Sequence, residues 1–281
     1  MPVDPSFDLD DFVRRVLAED LGADGDLTSA ATIPAEAEFS GNINCREPII
    51  VAGIDVAAAF FRQLDPGVES AVQAGDGDRI EAGTVIMRLT GKARAMLAAE
   101  RSALNTLQHL SGIATLTRRY VEAIAGTGAI LLDTRKTLPG LRALDKYAAR
   151  MGGAQNHRMR LDDGILIKDN HVAVCGGVAQ AVRAAKSANT GLQVQVEVDQ
   201  LGQIEPALDA GADRLLLDNM DVTTLRQAVA LVAARVPLEA SGGVDLDTVR
   251  GIAETGVDYI SVGRITQSAP AVDIGLDYEL R

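Results

Sequence analysis

Hydrophobic positions along this 281-residue chain change their spacing twice. In "DLDDFVRRVLAED", residues 8–20, Leu9, Phe12, Val13, Val16 and Leu17 fall on one helical stripe. The following "DLTSAATIPA" has no such period and reads as a loop. From Phe39 to about Thr90 the runs shorten to "EFSGNIN", "PIIVAGI" and "GTVIMRLTG", strand-length and punctuated by glycine. The helix-like "DVAAAFFRQLD" lies between them. From Ala93 to Gly126 an apolar-periodic stretch predicts helix, with a break expected at Ser111-Gly112.

After Ala129 the rhythm becomes regular. Six apolar runs of strand length recur: "AILLDTRK", "GILIKDNH", "LQVQVEVDQ", "DRLLLDNM", "PLEASGGV" and "DYISVGRI". Helix-like segments such as "GGVAQAVRAAKSA", "LGQIEPALDAG", "VTTLRQAVALVAAR" and "LDTVRGIAETG" separate several of them. Strand, helix, strand at this spacing marks βαβ units in a parallel sheet buried on both faces. Every run ends in polar residues, which a parallel barrel gathers on one face at the carboxyl ends of its strands. The expectation is an α/β chain: an open, six-stranded, TIM-like α/β barrel over 113–268, preceded by an α+β sandwich domain over 1–112. The tail 269–281 is expected to pack with the first domain. A doubly wound sheet is the alternative, but its G-x-G-x-x-G turn is not found.

Composition narrows the function. Hydrophobic residues make up 47% and charged residues 23%, ordinary for a globular chain long enough to bury a sizeable core. Tryptophan is absent and aromatics are 3%, which argues against stacking platforms for single-stranded nucleic acid. A net charge of −12 argues against duplex binding, so nucleic acid is not an expected partner. No apolar run approaches the roughly 18 residues that span a bilayer, and the acidic N-terminus lacks the apolar stretch of a signal peptide. A cytoplasmic protein with no membrane partner is expected. Cys45 and Cys175 have no metal-knuckle or CxxC spacing and read as buried small apolar residues.

The charge is unevenly placed. From Asp133 to His171 eight Lys/Arg face five Asp, a segment of +3 in a chain whose remainder sums to −15. Arg135, Lys136, Arg158 and Lys168 stand at or near strand ends, where arginine forks and compact lysine charges grip carboxylate or phosphate. His157 is expected to add a hydrogen-bond donor. Arg142, Lys146 and Arg150, four apart on a helix, read instead as exposed ion pairs. Glu197 and Asp218, on successive strands, suit Mg²⁺ held jointly with substrate phosphate oxygens; charge neutralisation or an acid/base pair are the alternatives. The glycine loops "EASGGV" and "ISVGRI" follow the last two strands, where barrels often bind phosphate. His109 is assigned to packing or a local hydrogen bond, and Arg101 to a surface charge beside Glu100. The pattern predicts a pocket for a small, multiply anionic substrate.

The segments "ERSALNTLQHLSGIAT", "DTRKTLPGLRALDKYA", "GGAQNHRMRLDDGILIKDNH", "VEVD", "LLLDN", "SGG" and "DYISVGRIT", in that order, resemble the quinolinate phosphoribosyltransferase family. The resemblance runs nearly end to end. It implies transfer of a phosphoribosyl group from phosphoribosyl pyrophosphate to quinolinate with decarboxylation, giving nicotinate mononucleotide, pyrophosphate and CO₂ in NAD biosynthesis. It further implies a homodimer in which Arg101 enters the partner's site, joining Arg135, His157, Arg158 and Lys168 on quinolinate's carboxylates. Lys136, Ser241, Gly242 and Gly263 would bind phosphoribosyl pyrophosphate, with Glu197 and Asp218 toward the ribose and Mg²⁺. Lys136, Lys168, Glu197 and Asp218 would carry the chemistry. Arg160, Ala154 and Gln267 depart from the family pattern. The alternatives are a related molybdenum-transport-associated pyrophosphorylase-like protein and a non-catalytic phosphosugar-binding protein.

Overall fold

The computed structural model describes residues 3, 4 and 6–279; Met1, Pro2, Pro5, Leu280 and Arg281 lie outside the described residues. The chain divides into two compact units: 1–118 with 143–153 and 268–281, and 119–142 with 154–267.

The first unit is built on an antiparallel sheet. Its strands are β1 (Glu38–Cys45), β2 (Ile49–Ile50), β3 (Glu69–Val72), β4 (Arg79–Ile80) and β5 (Val85–Lys92). β1 pairs with β5 on one side and with the strand Ile274–Tyr278 on the other; β3 extends β5, and β2 pairs with β4. The first predicted helix is present as Leu9–Leu21, with Asp8 capping it and Phe12, Val13 and Leu17 buried. Phe12 meets Phe60 of the helix Ile54–Leu64 edge-on at 6.0 Å.

Four expectations about local structure are corrected. "DLTS" is a helix start, not loop: Asp26 accepts from the Ser29 amide and opens the helix Leu27–Thr32. The helix Ala93–Ala123 runs unbroken through Ser111 and Gly112. Those small residues serve close packing: Ser111 Oγ accepts from the Ala52 amide at 3.1 Å, and a Cβ on Gly112 would lie 2.1 Å from the Pro270 carbonyl oxygen. Lys146 and Asp145 on the helix Arg142–Gly152 are buried, Asp145 Oδ1 accepting from His109 Nε2 at 2.8 Å, so this is no exposed ion-pair face. Arg150 lies over the Tyr147 ring, and Arg142 donates to Thr137 Oγ1 and to the Met159 carbonyl. Cys45 is buried as expected, but Cys175 is exposed.

The second unit holds the six predicted strands: β6 (Ile130–Leu132), β7 (Ile165–Ile167), β8 (Val194–Val198), β9 (Arg214–Asp218), β10 (Leu238–Ser241) and β11 (Tyr259–Ser261). All pairings are parallel, in the order β6-β11-β10-β9-β8-β7. The order rises by one from β7 to β11 and then returns to β6. A doubly wound sheet would reverse its order midway; this sheet curls, and its gap lies between β6 and β7. Gln155 pairs along β6 at that edge, its amide donating to the Leu131 carbonyl and its carbonyl accepting from Asp133. The middle strands are largely buried on both faces, β9 through its apolar Leu215–Leu217, while β8 and β10 alternate apolar residues with Gln195, Glu197 and Glu239. Among the described residues no helix is long and apolar enough to cross a membrane.

Candidate active site

Parallel register sets the carboxyl ends of the strands side by side. Ile167 pairs with Val196, so the next residues, Lys168 and Glu197, fall opposite one another; Ser241 pairs directly with Asp218. A cavity of about 830 Å³ opens there. Arg135, Lys136, His157, Arg158, Lys168, Glu197, Asp218, Ser241, Gly242 and Gly263 all line it. Arg101 does not: it is exposed on the helix Ala93–Ala123 in the other unit.

The lining is balanced in charge, five Lys/Arg against five Asp/Glu, but Arg135 and Arg158 lie close enough together to repel. Burial, and then the charge of Arg135, hold the Arg158 guanidinium below its ordinary pKa. Arg158 Nη1 donates to the Gly164 carbonyl at 2.9 Å, which leaves the rest of the fork uncommitted by that bond. Arg135 Nε is buried with no hydrogen-bond partner among the described residues. Two arginines held together in this way form a receptor for a multiply charged anion.

The carboxylates show the complementary tension. Lys168 Nζ meets Glu197 Oε2 at 3.1 Å. Asp218 is pushed above the usual aspartate range, first by burial and then by Glu197, with Lys168, Asn219 and Lys136 opposing. Two carboxylates from adjacent strands, one partly neutralised by lysine, fit a hard divalent cation that completes its shell with substrate oxygens. No cluster of three or more metal-ligating side chains occurs among the described residues, so protein ligands alone would not build such a site.

Glycine is required at two lining positions. Gly242 has φ of +91°, and a Cβ there would sit 2.2 Å from Asn219 Oδ1 and 2.9 Å from the Asn219 amide nitrogen. At Gly263 a Cβ would meet Lys136 Cδ at 2.7 Å, so the missing side chain leaves room for the lysine stem.

His157 departs from expectation. Its Nδ1 accepts from the Arg158 amide at 2.7 Å, and its Nε2 faces Glu239 Oε2 at 3.4 Å. Nδ1 is committed to that amide, whereas Nε2 is buried beside Glu239 and makes no hydrogen bond among the described residues. His171 is used similarly, its Nδ1 accepting from the Lys168 amide at 3.0 Å at the start of the helix Asp169–Cys175. Arg160 is exposed and pairs with Asp162, Ala154 is buried, and Gln267 lines the cavity.

Sequence reading placed Thr134, Asn219 and Arg264 among the polar strand ends without giving them a role, and missed Glu239 and Asp245; all five line the cavity. Asp245 and Arg264 belong to the two glycine loops, and loop position was the available signal. For Glu239 the signal was a glutamate inside the apolar run Leu238–Ala240, since a buried charge requires a partner.

Comparison with known proteins agrees with this arrangement. The profile of the quinolinate phosphoribosyl transferase C-terminal domain matches residues 113–277, and that of the N-terminal domain matches 26–111. The chain is 45% identical over 272 residues to the nicotinate-nucleotide pyrophosphorylase [carboxylating] of Mycobacterium leprae, covering 95% of this chain and 96% of that one. It is 40% identical over 294 residues to the chloroplastic enzyme of the same name from Arabidopsis thaliana, covering 98% and 84%. The crystal structure of the nicotinate-nucleotide pyrophosphorylase from Ehrlichia chaffeensis superposes with a TM-score of 0.94 at 38% identity, over 98% of this chain and 100% of that one. Two domain profiles in tandem, near full-length identity and a shared fold make this chain a member of the quinolinate phosphoribosyl transferase family.

Proposed function

We propose that this chain transfers the phosphoribosyl group of phosphoribosyl pyrophosphate to quinolinate with loss of one carboxylate, giving nicotinate mononucleotide, pyrophosphate and CO₂. The observation that carries this reading is the mutually repelling pair Arg135 and Arg158 in the same cavity as Glu197 and Asp218. A pyridine dicarboxylate matches the first pair and a polyanionic sugar diphosphate the remainder.

Arg135, Arg158 and Lys168 hold quinolinate's carboxylates, and His157 acts through the Arg158 backbone. Lys136, Ser241, Gly242 and Gly263 receive the phosphates. The pyridine nitrogen attacks the anomeric carbon as the bond to pyrophosphate breaks. When the adjacent carboxylate leaves as CO₂, its bonding electron pair stays on the ring carbon, stabilised by the neighbouring positive nitrogen, and that carbon then takes a proton from water. No protein nucleophile is needed; orientation and charge stabilisation suffice. Glu197 and Asp218 would hold Mg²⁺, which supplies positive charge to the departing pyrophosphate. An aqueous cytoplasmic location suits substrates this highly charged.

The decisive assay supplies both substrates with Mg²⁺ and follows pyridine nucleotide and CO₂ together. Equimolar appearance is expected. Binding of phosphoribosyl pyrophosphate with no pyrophosphate release on adding quinolinate would instead leave a binding protein.

Asp218 also makes a stability prediction. A carboxylate with a raised folded pKa costs the fold nothing below its unfolded pKa of about 3.9, and progressively more as pH rises through the folded value. At neutral pH that cost is fully present. Asp218→Asn is therefore expected to raise the Tm of the unliganded protein by about 1–3 °C while abolishing turnover; the gain is small because the partly exposed group is screened. A lower Tm in a melting scan would contradict this.

Arg101 we assign to the cavity of a second subunit. Its exposure on the helix Ala93–Ala123 supports that role. Arg101→Ala and Lys168→Ala should each be inactive alone. Unfolded together and refolded, they should recover about one quarter of wild-type activity, because half the dimers then carry one intact site of two. No recovery would refute the shared site.

A further inference from the structure

Below its mouth the barrel interior is polar, where branched apolar side chains would ordinarily fill it. Gln195 on β8 is in register with Arg214 on β9, and Glu239 on β10 with Tyr259 on β11. Glu239 is fully buried and lines the cavity. Its Oε2 accepts from Gln195 Nε2 at 2.8 Å and lies 2.7 Å from Arg214 Nη2. The Arg214 guanidinium stacks 3.8 Å from the centre of the Tyr259 ring. Burial pushes the Glu239 pKa up, but His157, Arg214 and Ser261 outweigh it and hold the carboxyl below the ordinary glutamate range. Fixed negative charge this deeply buried, in the lining of a cavity that also holds two repelling arginines, requires an explanation beyond packing.

The third neighbour of that carboxylate supplies one. His157 Nε2 approaches Glu239 Oε2 at 3.4 Å, without the alignment of a full hydrogen bond. On the other side of the ring Nδ1 accepts the Arg158 amide proton, which requires a lone pair there and so places the neutral ring's proton on Nε2. The His157 amide in turn donates to Asp133 Oδ1 at 2.8 Å, so consecutive backbone amides are held. The Arg158 side chain extends from this anchored backbone into the lining of the cavity, its Nη1 donating to the Gly164 carbonyl at 2.9 Å.

We propose that Glu239 is a positioning residue: its buried carboxylate fixes His157 in the Nε2-protonated form, and His157 thereby locks the backbone that aims Arg158 at the substrate carboxylate. This deepens the transferase reading and rests on it for the identity of the anion. Without the carboxylate, the Nδ1-protonated form of His157 becomes competitive, the Arg158 amide loses its acceptor, and the guanidinium loses its fixed direction. The buried Arg214 charge would also lose its counter-ion, which is a separate, structural effect.

Two variants separate these effects. Glu239→Gln keeps the shape and removes the charge. Glu239→Gln with Arg214→Met removes both buried charges, which restores the charge balance of the interior. Full-length proteins with ¹⁵N-labelled histidine are compared by NMR without substrate, the His157 signals being assigned by their loss in His157→Gln. Wild type is expected to show His157 protonated on Nε2 alone, and both Glu239 variants a mixture of the two forms. In the double variant Tm should return near wild type, while KM for quinolinate stays raised about tenfold or more and KM for phosphoribosyl pyrophosphate changes less than about twofold. A double variant with wild-type quinolinate KM, or an unchanged His157 signal on loss of Glu239, would overturn the proposal. Failure of the wild-type enzyme to turn over quinolinate would remove the transferase reading, and the substrate-free NMR comparison would still decide the role of Glu239.

Discussion

Replacing Arg135 by alanine is expected to lower kcat/KM for quinolinate by about 10³-fold, mostly through KM, with no loss of thermal stability. Truncating one partner of a buried, hydrogen-bonded charge pair costs about 2–5 kcal/mol, and each 1.36 kcal/mol is about tenfold. Arg135 Nε is buried and has no hydrogen-bond partner among the described residues, so the fold gains little from it until an anion arrives. Its neighbour Arg158 is held below its ordinary pKa, by burial first and by Arg135 second, and deleting Arg135 relieves that repulsion. Stability and activity should therefore move independently. Arg135→Lys keeps the charge but not the planar fork and should recover only part of the loss, remaining about 10–100-fold below wild type. Steady-state kinetics with a parallel melting scan make the test. An alanine variant with quinolinate KM within about threefold of wild type would remove Arg135 from the substrate's contacts.

Gly112→Ala is expected to lower Tm by about 6–12 °C, against the sign that helix propensity alone predicts. In a helix interior alanine is favoured over glycine by about 1 kcal/mol, so the propensity argument expects stabilisation. In this fold the added Cβ would lie 2.1 Å from the Pro270 carbonyl oxygen and 3.1 Å from Ala271 Cα, both backbone atoms that cannot rotate aside. Relief requires the segment entering the strand Ile274–Tyr278 to move away. That movement strains two bonds beside it, Val272 amide to the Gln108 carbonyl at 3.2 Å and Gln108 Nε2 to the Ile274 carbonyl at 2.7 Å. Overpacking of about 1–3 kcal/mol plus two weakened hydrogen bonds at about 1 kcal/mol each exceeds the propensity gain. A melting scan in which the alanine variant is the more stable would show that the helix and this segment are not in close contact.

These two sites mark where sequence reading succeeded and where it stopped. The cations at 135, 136, 158 and 168 were legible because a parallel barrel places all its strand ends on one face, so six separate stretches could be projected onto one mouth. The spacing of apolar runs and intervening helices sufficed for that projection. Gly112 was misread as a break because glycine has the same letter whether it ends a helix or admits a neighbour. Lys146 was misread as exposed because a 4-residue spacing of cations describes a helix face without saying what covers it. Glu239 and Arg214 were overlooked within runs that count as apolar, although a lone charge in such a run is itself a sign of a buried partner.

Periodicity along the chain was enough to establish most of the elements, the parallel barrel and the gathering of cations at its mouth, because these follow from local faces and strand polarity. The direction of the His157 ring, the repulsion between Arg135 and Arg158, and the burial of Glu239 beneath them depend on distances between side chains remote in sequence. Coulomb and hydrogen-bond energies vary with separation and burial, and neither is recorded in the order of residues. Only the folded arrangement sets which charges are compensated and which await a ligand.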